Sequence, residues 1–187
     1  MKEETCLILD FLPNGYADQR KSEPIAQSIG ASFFSLLELV PRETVTLTPE
    51  EEVYIGDGKR DKIRFIRGQL DYSGLTNLAK TLLPDVVEKL VRRNEQKFVE
   101  FFNKGSTVTP RMHQFQLLPG VGKKHMIDIL EERRKKPFEN FIDIRQRVKL
   151  FPDPVKTVVG RVLQELQGEE KYYLFTPRPR SANQRFY

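Results

Sequence analysis

The sequence predicts an α+β protein with a small β-barrel at residues 1–75, an all-α domain at residues 76–170 and an extended C-terminal arm at residues 171–187. Three observations lead to this prediction. Short apolar runs separated by turn residues fill the first third of the chain, helical spacing of apolar residues begins near Leu75, and the last segment combines arginine with aromatic residues. With 187 residues, 39% of them hydrophobic, the chain can bury a core in one large or two small domains.

The first third contains four short runs that are typical of strands, with residues 13–30 and 41–51 predicted as loops or irregular structure. These runs are Thr5 to Leu12, Ala31 to Val40, Glu52 to Ile55 and Lys62 to Gly68. Charged and apolar residues alternate after the turn Gly56-Asp57-Gly58, which predicts a β-hairpin around that turn. Four or five short strands with long connections favour an OB-like barrel, a five-stranded and partly open fold.

Basic residues cluster around the predicted hairpin turn, and strict alternation places Lys62 and Arg64 on one face with Arg60. OB-type barrels often bind strands of nucleic acid through one face and its neighbouring loops. The candidate binding residues here are Lys59, Arg60, Lys62 and Arg64. The alternative, that charge merely protects an exposed sheet edge, stays open.

From Leu75 onward the apolar spacing is helical. Thr76 to Leu83 is predicted as one helix, and Pro84 is predicted to open a longer one, because proline is tolerated at the first helical position. The aromatic residues Phe98, Phe101 and Phe102 follow the spacing of one buried face, so core packing is favoured over a stacking platform.

The most informative motif is a two-glycine turn between predicted helices, followed at once by two lysines. Its candidate binding residues are Pro119, Gly120, Val121, Gly122, Lys123 and Lys124. Free backbone N–H groups and the positive end of a helix dipole meet at such a turn, which suits a phosphate. The string from Leu118 to Gly122, with Ile129 and Leu130 beyond it, resembles the helix-hairpin-helix motif, whose hairpin amides bind the sugar–phosphate backbone. The alternative is a plain helical turn that only connects two helices.

The helices around this motif follow from proline and capping residues. The first hairpin helix is predicted to start at Pro110 or Arg111, and the second to end in a basic run stopped by Pro137. That run either complements the helix dipole or contacts phosphate. Asn140 and Asp153 are predicted N-caps of two further helices. Their connecting turn carries Pro-Asp-Pro, in which the prolines have no N–H to donate and the aspartate repels phosphate, so this second unit is expected to be structural.

The tail from Lys171 to Tyr187 holds basic residues and aromatics but no acid. Arginine interleaved with aromatic rings suits single-stranded nucleic acid, so Arg178 and Arg180 are candidate binding residues. Docking of the tail on its own barrel is the equally open alternative.

The net charge is +5, but residues 1–75 carry −4 and residues 76–187 carry +9. The positive half contains the glycine turn, and such an asymmetry favours a polyanionic partner. No apolar run approaches the roughly 18 residues of a transmembrane helix, and Met1 to Glu4 do not begin a signal peptide. Cys6 is the one cysteine, which excludes an internal disulfide and fits a reducing cytoplasm.

No catalytic constellation is visible in the sequence. His113 and His125 lie on the predicted hairpin helices without a cluster of other ligands, so we expect neither a metal nor a cofactor. The segment Gly56 to Lys59 lacks the spacing of a phosphate-binding loop. We therefore expect no enzymatic activity and no catalytic residue, and we assume a monomer.

The whole chain resembles an archaeal family that is described only as a domain of unknown function, number 655. The residues that carry this resemblance are Val53 to Ile63, Leu118 to Gly122, and Pro137-Phe138 with Asn140-Phe141. The resemblance implies an OB-like barrel with a helix-hairpin-helix domain and nucleic-acid binding, with RNA preferred over DNA. Two alternatives stay open, a nucleic-acid-processing enzyme or accessory factor and a protein-interaction adaptor.

Overall fold

The computed structural model describes residues 2–16 and 23–179. The chain forms two compact units: the first comprises the chain up to Val86 together with the chain from Glu165 onward, and the second comprises Val87–Gln164. The grouping differs from the three predicted segments, because the start of the C-terminal arm belongs to the first unit.

The first unit contains a curled antiparallel sheet of five strands that forms a half-barrel, with the strand order β4-β1-β2-β3-β5. Its strands are β1 (Thr5–Leu12), β2 (Ile25–Gly30), β3 (Leu36–Pro41), β4 (Glu52–Tyr54) and β5 (Ile63–Gln69). Apolar side chains fill its core, among them Ile8, Leu39 and Ile63, none of which is exposed. The α+β class and the curled sheet are thus confirmed, whereas the finer OB-like assignment stays a prediction.

Cys6 lies in this core on β1, opposite Gly30 of β2. Burial raises the pKa of its thiol to about 12, because the thiolate would lose its hydration.

Three predictions about the sheet were wrong. Ile25–Gly30 is a fully buried strand, not a loop, and the run predicted from Ala31 forms a strand only from Leu36. The segments on either side of Gly56-Asp57-Gly58 do not form a hairpin, because β4 pairs with β1 while β5 pairs with β3. These two strands are the outer strands of the described sheet.

The helices of the second half are α1 (Asn77–Arg93), α2 (Glu95–Lys104), α3 (Lys123–Lys135), α4 (Phe141–Arg147) and α5 (Pro154–Gln167). Pro84 lies inside α1 and does not open a new helix, so that prediction was wrong. The break falls instead at Asn94, between α1 and α2. Phe98 and Phe102 have no exposed surface, which confirms that the aromatic stripe is a core face.

The first hairpin helix is much shorter than predicted. After a two-stranded ribbon, β6 (Thr107–Thr109) with β7 (Met112–His113), the chain makes only a 3-10 helix at Gln114–Leu117. His113 caps it: its Nδ1 accepts from the Phe115 N–H at 3.2 Å, and Gln116 Oε1 accepts from the His113 N–H at 2.9 Å. Burial, with the neighbouring Arg133 charge, lowers the pKa of His113. This histidine is therefore a satisfied structural residue.

The predicted caps of the last helices are confirmed. Asn140 Oδ1 accepts from the Asp143 N–H at 2.8 Å at the start of α4, and Asp153 Oδ1 accepts from the Lys156 N–H at 3.0 Å at the start of α5. Gly168 follows α5 with φ +82°, which is the left-handed conformation typical of a residue after a helix.

Candidate nucleic-acid interface

The two-glycine turn of the second unit is a tight turn with its apolar residues inside. The Val121 N–H donates to the Leu118 carbonyl at 3.1 Å, and both of these residues are buried. Gly120 adopts φ +74°, which fits the third position of a type II turn after a proline. Gly120 and Gly122 are exposed. Because Leu118 and Val121 pack inward, the backbone at Gly120 and Gly122 lies at the surface.

Helix α3 begins directly at the exposed end of this turn. Gly122 is its N-cap, and its carbonyl accepts from the Met126 N–H at 3.0 Å. Within the described chain, the N–H groups of Gly122, Lys123 and Lys124 have no hydrogen-bond partner. A Cβ added at Gly122 would meet nothing within 4 Å, and both lysines are exposed. Free donors, the positive end of the dipole and two cations thus coincide at one accessible surface.

The turn is held firmly from its inner side. A Cβ at Gly160 of α5 would lie 3.3 Å from Cγ of Pro119, so this glycine allows the turn to approach the helix closely. The buried Arg161 donates from Nη1 to the Leu117 carbonyl at 3.1 Å. A Cβ at Gly120 would lie 3.3 Å from Cγ of Pro152, so the Pro-Asp-Pro turn lies beside the glycine turn.

We expect the two glycines of the turn to respond differently to serine. Gly120→Ser should lower the free energy of unfolding by about 1–2 kcal/mol, because φ +74° is unfavourable for a residue with a Cβ. Gly122→Ser should leave it within about 0.5 kcal/mol of the wild type, because the site is open and serine is a good N-cap. Urea denaturation followed by circular dichroism measures both; equal losses would contradict the described turn.

The basic run at the end of α3 is engaged within the unit. Arg133 Nη1 donates to the carbonyls of Phe102 and Gly105, at 3.2 Å and 2.8 Å. Lys135 pairs with Glu132 and Lys136 pairs with Glu139. The hydrogen bond that the Lys136 ammonium donates to the Glu139 carboxylate raises the pKa of Lys136. These contacts favour the interpretation in which the run complements its own helix and neighbours.

In the first unit, the basic residues near the turn Gly56-Asp57-Gly58 divide into two groups. Arg42, Lys59, Arg60 and Arg64 line one concave surface together with Asp57, Gly58 and Ile63. Lys62 instead pairs with Glu51. Although burial alone would raise it, hydrogen bonds from Lys62 and Thr48 hold the pKa of Glu51 below its usual range. Lys62 is not among the residues that line this surface, and its role as a binding residue stays a prediction.

Arg42 is the member of this surface that the sequence did not indicate. Its Nε donates to the Arg60 carbonyl at 2.9 Å, and Arg60 Nε donates to the Gly56 carbonyl at 2.9 Å. Arg42 follows β3, and the pairing of β3 with β5 brings it to the turn. No local signal marks it, because its neighbours on the surface are distant in sequence. We call Arg42, Lys59, Arg60 and Arg64 the basic cluster.

The described start of the arm is anchored on the first unit. Glu165, 1% exposed, accepts hydrogen bonds from the N–H groups of Leu174, Phe175 and Thr176 at 2.7 to 2.9 Å. Arg178 is exposed, with its guanidinium 5.9 Å from the centre of the Tyr173 ring. These contacts favour docking for residues up to 179, while Arg180 lies outside the described residues.

The described ranges, 2–16 and 23–179, contain no group of three or more His, Cys, Asp or Glu side chains placed to hold a metal ion. Among their helices, none combines the length and the apolar character needed to cross a membrane.

Fold and surface together define a class: an α+β protein with a curled antiparallel sheet and, in a helical unit, an exposed glycine turn that opens a basic helix. The chain belongs to the family described as "Protein of unknown function (DUF655)", whose model matches residues 2–177.

Two relatives support this membership. The chain is 42% identical over 175 residues to the uncharacterized protein MJ0038 of Methanocaldococcus jannaschii. The matched region covers 92% of this chain and 79% of MJ0038. It is also similar to the crystal structure of Af1531 from Archaeoglobus fulgidus, which represents the same family. That likeness has 45% identity and a TM-score of 0.85, and it covers 94% of this chain and 100% of that one. The predicted archaeal family is thereby confirmed.

Proposed function

We propose that this protein binds nucleic acid without catalysing a reaction on it, holding the sugar–phosphate backbone at the glycine turn as a helix-hairpin-helix does. The observation that carries the proposal is the exposed start of α3, where free N–H groups of Gly122, Lys123 and Lys124 face solvent. A phosphate accepts hydrogen bonds from such amides and is favoured by the helix dipole. Because backbone contacts carry no base information, binding is largely independent of sequence.

RNA is our preferred partner over DNA on the strength of the family resemblance, since the turn itself can bind either backbone. The net charge of +9 on residues 76–187 adds salt-sensitive attraction to a polyanion. In this proposal the protein combines an OB-like half-barrel with a helix-hairpin-helix unit, acts as a monomer and works in the cytoplasm.

The test is a salt titration of affinity for a labelled blunt RNA duplex, measured by fluorescence anisotropy. Lys123→Glu/Lys124→Glu should weaken binding about tenfold or more at physiological salt and should lower the slope of log affinity against log salt by about 2. The matched control is Lys135→Glu/Lys136→Glu, which changes the net charge equally at the other end of α3, where both lysines are already paired.

Equal losses in the two double variants would show that net charge alone drives binding, and the proposal would fail. Gly122→Ser sharpens the test, because a serine hydroxyl would occupy the amides that a phosphate needs while the fold stays stable. Its affinity should fall although its thermal midpoint does not.

One observation favours a protein-interaction adaptor as the second candidate. Ile142 and Leu150 of the second unit are 67% and 87% exposed, and a partner chain that covered them would remove their apolar surface from water. Leu150 also adopts φ +55°, an unusual conformation for a leucine. An adaptor predicts that the RNA affinity is weak and that every change at the glycine turn leaves it unaltered.

A further inference from the structure

The basic cluster of the first unit is a cationic surface whose charges are not neutralised by ion pairs. Within the described chain, Arg42, Lys59, Arg60 and Arg64 form no ion pair, and the acid among the lining residues, Asp57, pairs with Lys2. The hydrogen bond from Lys2 lowers the pKa of Asp57, and the positive charge of Arg60, which forms no ion pair with it, lowers it further. Other cations nearby are engaged, since Lys62 pairs with Glu51 and Arg67 with Glu38.

Two of the four cations are fixed in place by the backbone. Arg42 and Arg60 each donate from Nε to a carbonyl, at 2.9 Å in both cases. The Arg42 N–H also donates to the Lys62 carbonyl at 2.8 Å, which ties the end of β3 to the start of β5. A surface that is ordered before binding loses less side-chain entropy when an anion arrives.

Two partly exposed aromatic rings lie beside residues of this surface, one at the last residue of β4 and one within β5. Tyr54 is 39% exposed, and its hydroxyl accepts from the Gly58 N–H at 3.0 Å. Phe65 is 38% exposed, with the Arg64 guanidinium 5.7 Å from the centre of its ring. Large aromatic residues are usually buried, so two exposed rings next to unpaired cations are a specific combination.

We infer that the basic cluster, with Phe65 and Tyr54, binds a short unpaired stretch of nucleic acid. Cations attract the phosphates, and an exposed ring stacks on a base, which is available only where the bases are not paired. The inference rests on the proposed function in that both require a nucleic-acid partner, yet it uses residues of the first unit alone. The inference thus names single-stranded segments as the ligand of this surface, whereas the glycine turn does not distinguish single-stranded from double-stranded nucleic acid.

The experiment compares two probes on the full chain, a labelled oligouridine and a blunt RNA duplex. Phe65→Leu keeps an apolar side chain but removes the ring, and should weaken oligouridine binding about 5- to 100-fold. Lys59→Gln/Arg64→Gln should weaken it about tenfold or more. Neither variant should change duplex affinity more than about threefold. Thermal melts check that each variant is folded, which is expected because these side chains are exposed.

The matched control is Lys62→Gln/Arg92→Gln, which removes two exposed charges that are already paired, with Glu51 and Glu88. If Phe65→Leu and Lys59→Gln/Arg64→Gln weaken oligouridine no more than this control, the inference is wrong, whatever the glycine turn does. Lys123→Glu/Lys124→Glu should weaken binding of the duplex more than binding of oligouridine. If this variant leaves duplex affinity unchanged, that result counts against the proposed function alone. If polyglutamate displaces oligouridine at equal charge concentration, the surface binds acidic polypeptides and the inference is overturned.

Discussion

Replacing Gly30 by alanine is expected to lower the free energy of unfolding by about 3 kcal/mol, through overpacking and lost hydrogen bonds. Gly30 lies in the buried strand β2, and a Cβ there would overlap the carboxyl group of Glu3. Glu3 is 5% exposed and accepts from the N–H groups of Ser32, Phe33 and Ser35 at 2.9 to 3.2 Å. Moving its carboxylate would leave three amides without their acceptor.

Gly68→Ala is the matched control for this prediction. It makes the same change in β5, where an added Cβ meets nothing within 4 Å. Its stability should match or slightly exceed that of the wild type, because alanine restricts the unfolded chain. Guanidinium denaturation measures both variants. The double variant Glu3→Ala/Gly30→Ala should cost less than the sum of the two single ones, since the overlap disappears with the side chain. Strict additivity would refute the overlap.

The second large effect is expected for Glu165→Gln, which should also cost about 3 kcal/mol. The Glu165 carboxylate accepts three backbone N–H bonds, and the Thr176 hydroxyl also donates to it at 3.2 Å. Phe175 and Thr176 are buried, so donors that lose their acceptor have little access to water. A glutamine offers one acceptor oxygen, and its NH2 group would point at other donors.

Glu169→Gln makes the same chemical change at an exposed position and should alter stability by less than about 0.5 kcal/mol. Amide hydrogen exchange at residues 174–176 localises the effect: Glu165→Gln should accelerate exchange there more than in the sheet. Unchanged exchange at these amides, together with an unchanged denaturation midpoint, would mean that the arm is held by other contacts.

Local signals in the sequence were sufficient where an element depends on its own residues. The strand β1 has the predicted bounds, Thr5–Leu12, and Asn140 and Asp153 cap their helices as expected. β2 escaped prediction because Gln27 and Ser28 interrupt its apolar pattern. Both are buried, and their partners are distant: Gln27 Oε1 accepts from the Thr76 N–H, and Ser28 Oγ donates to the Leu37 carbonyl.

The candidate sites follow the same division. The glycine turn could be predicted because the residues that form it lie within five positions of one another, although α5 also packs against it. The basic cluster could be predicted only in part. Strand pairing brings Arg42 next to Arg60, and Lys62 forms an ion pair with Glu51, and neither contact is visible in the local sequence. The predicted start of a helix at Pro84 was wrong because α1 continues through this proline. Its buried face, which includes Ala79, Leu83 and Val86, extends across the position.

The buried thiol of Cys6 can report how often the sheet of the first unit opens. Cys6 is the one cysteine in the sequence and has no exposed surface, so a maleimide reagent can reach it only when the strands separate. Its labelling rate therefore records how often the half-barrel comes apart. A cysteine introduced on the surface would accept a dye selectively under native conditions, without removal of the natural thiol.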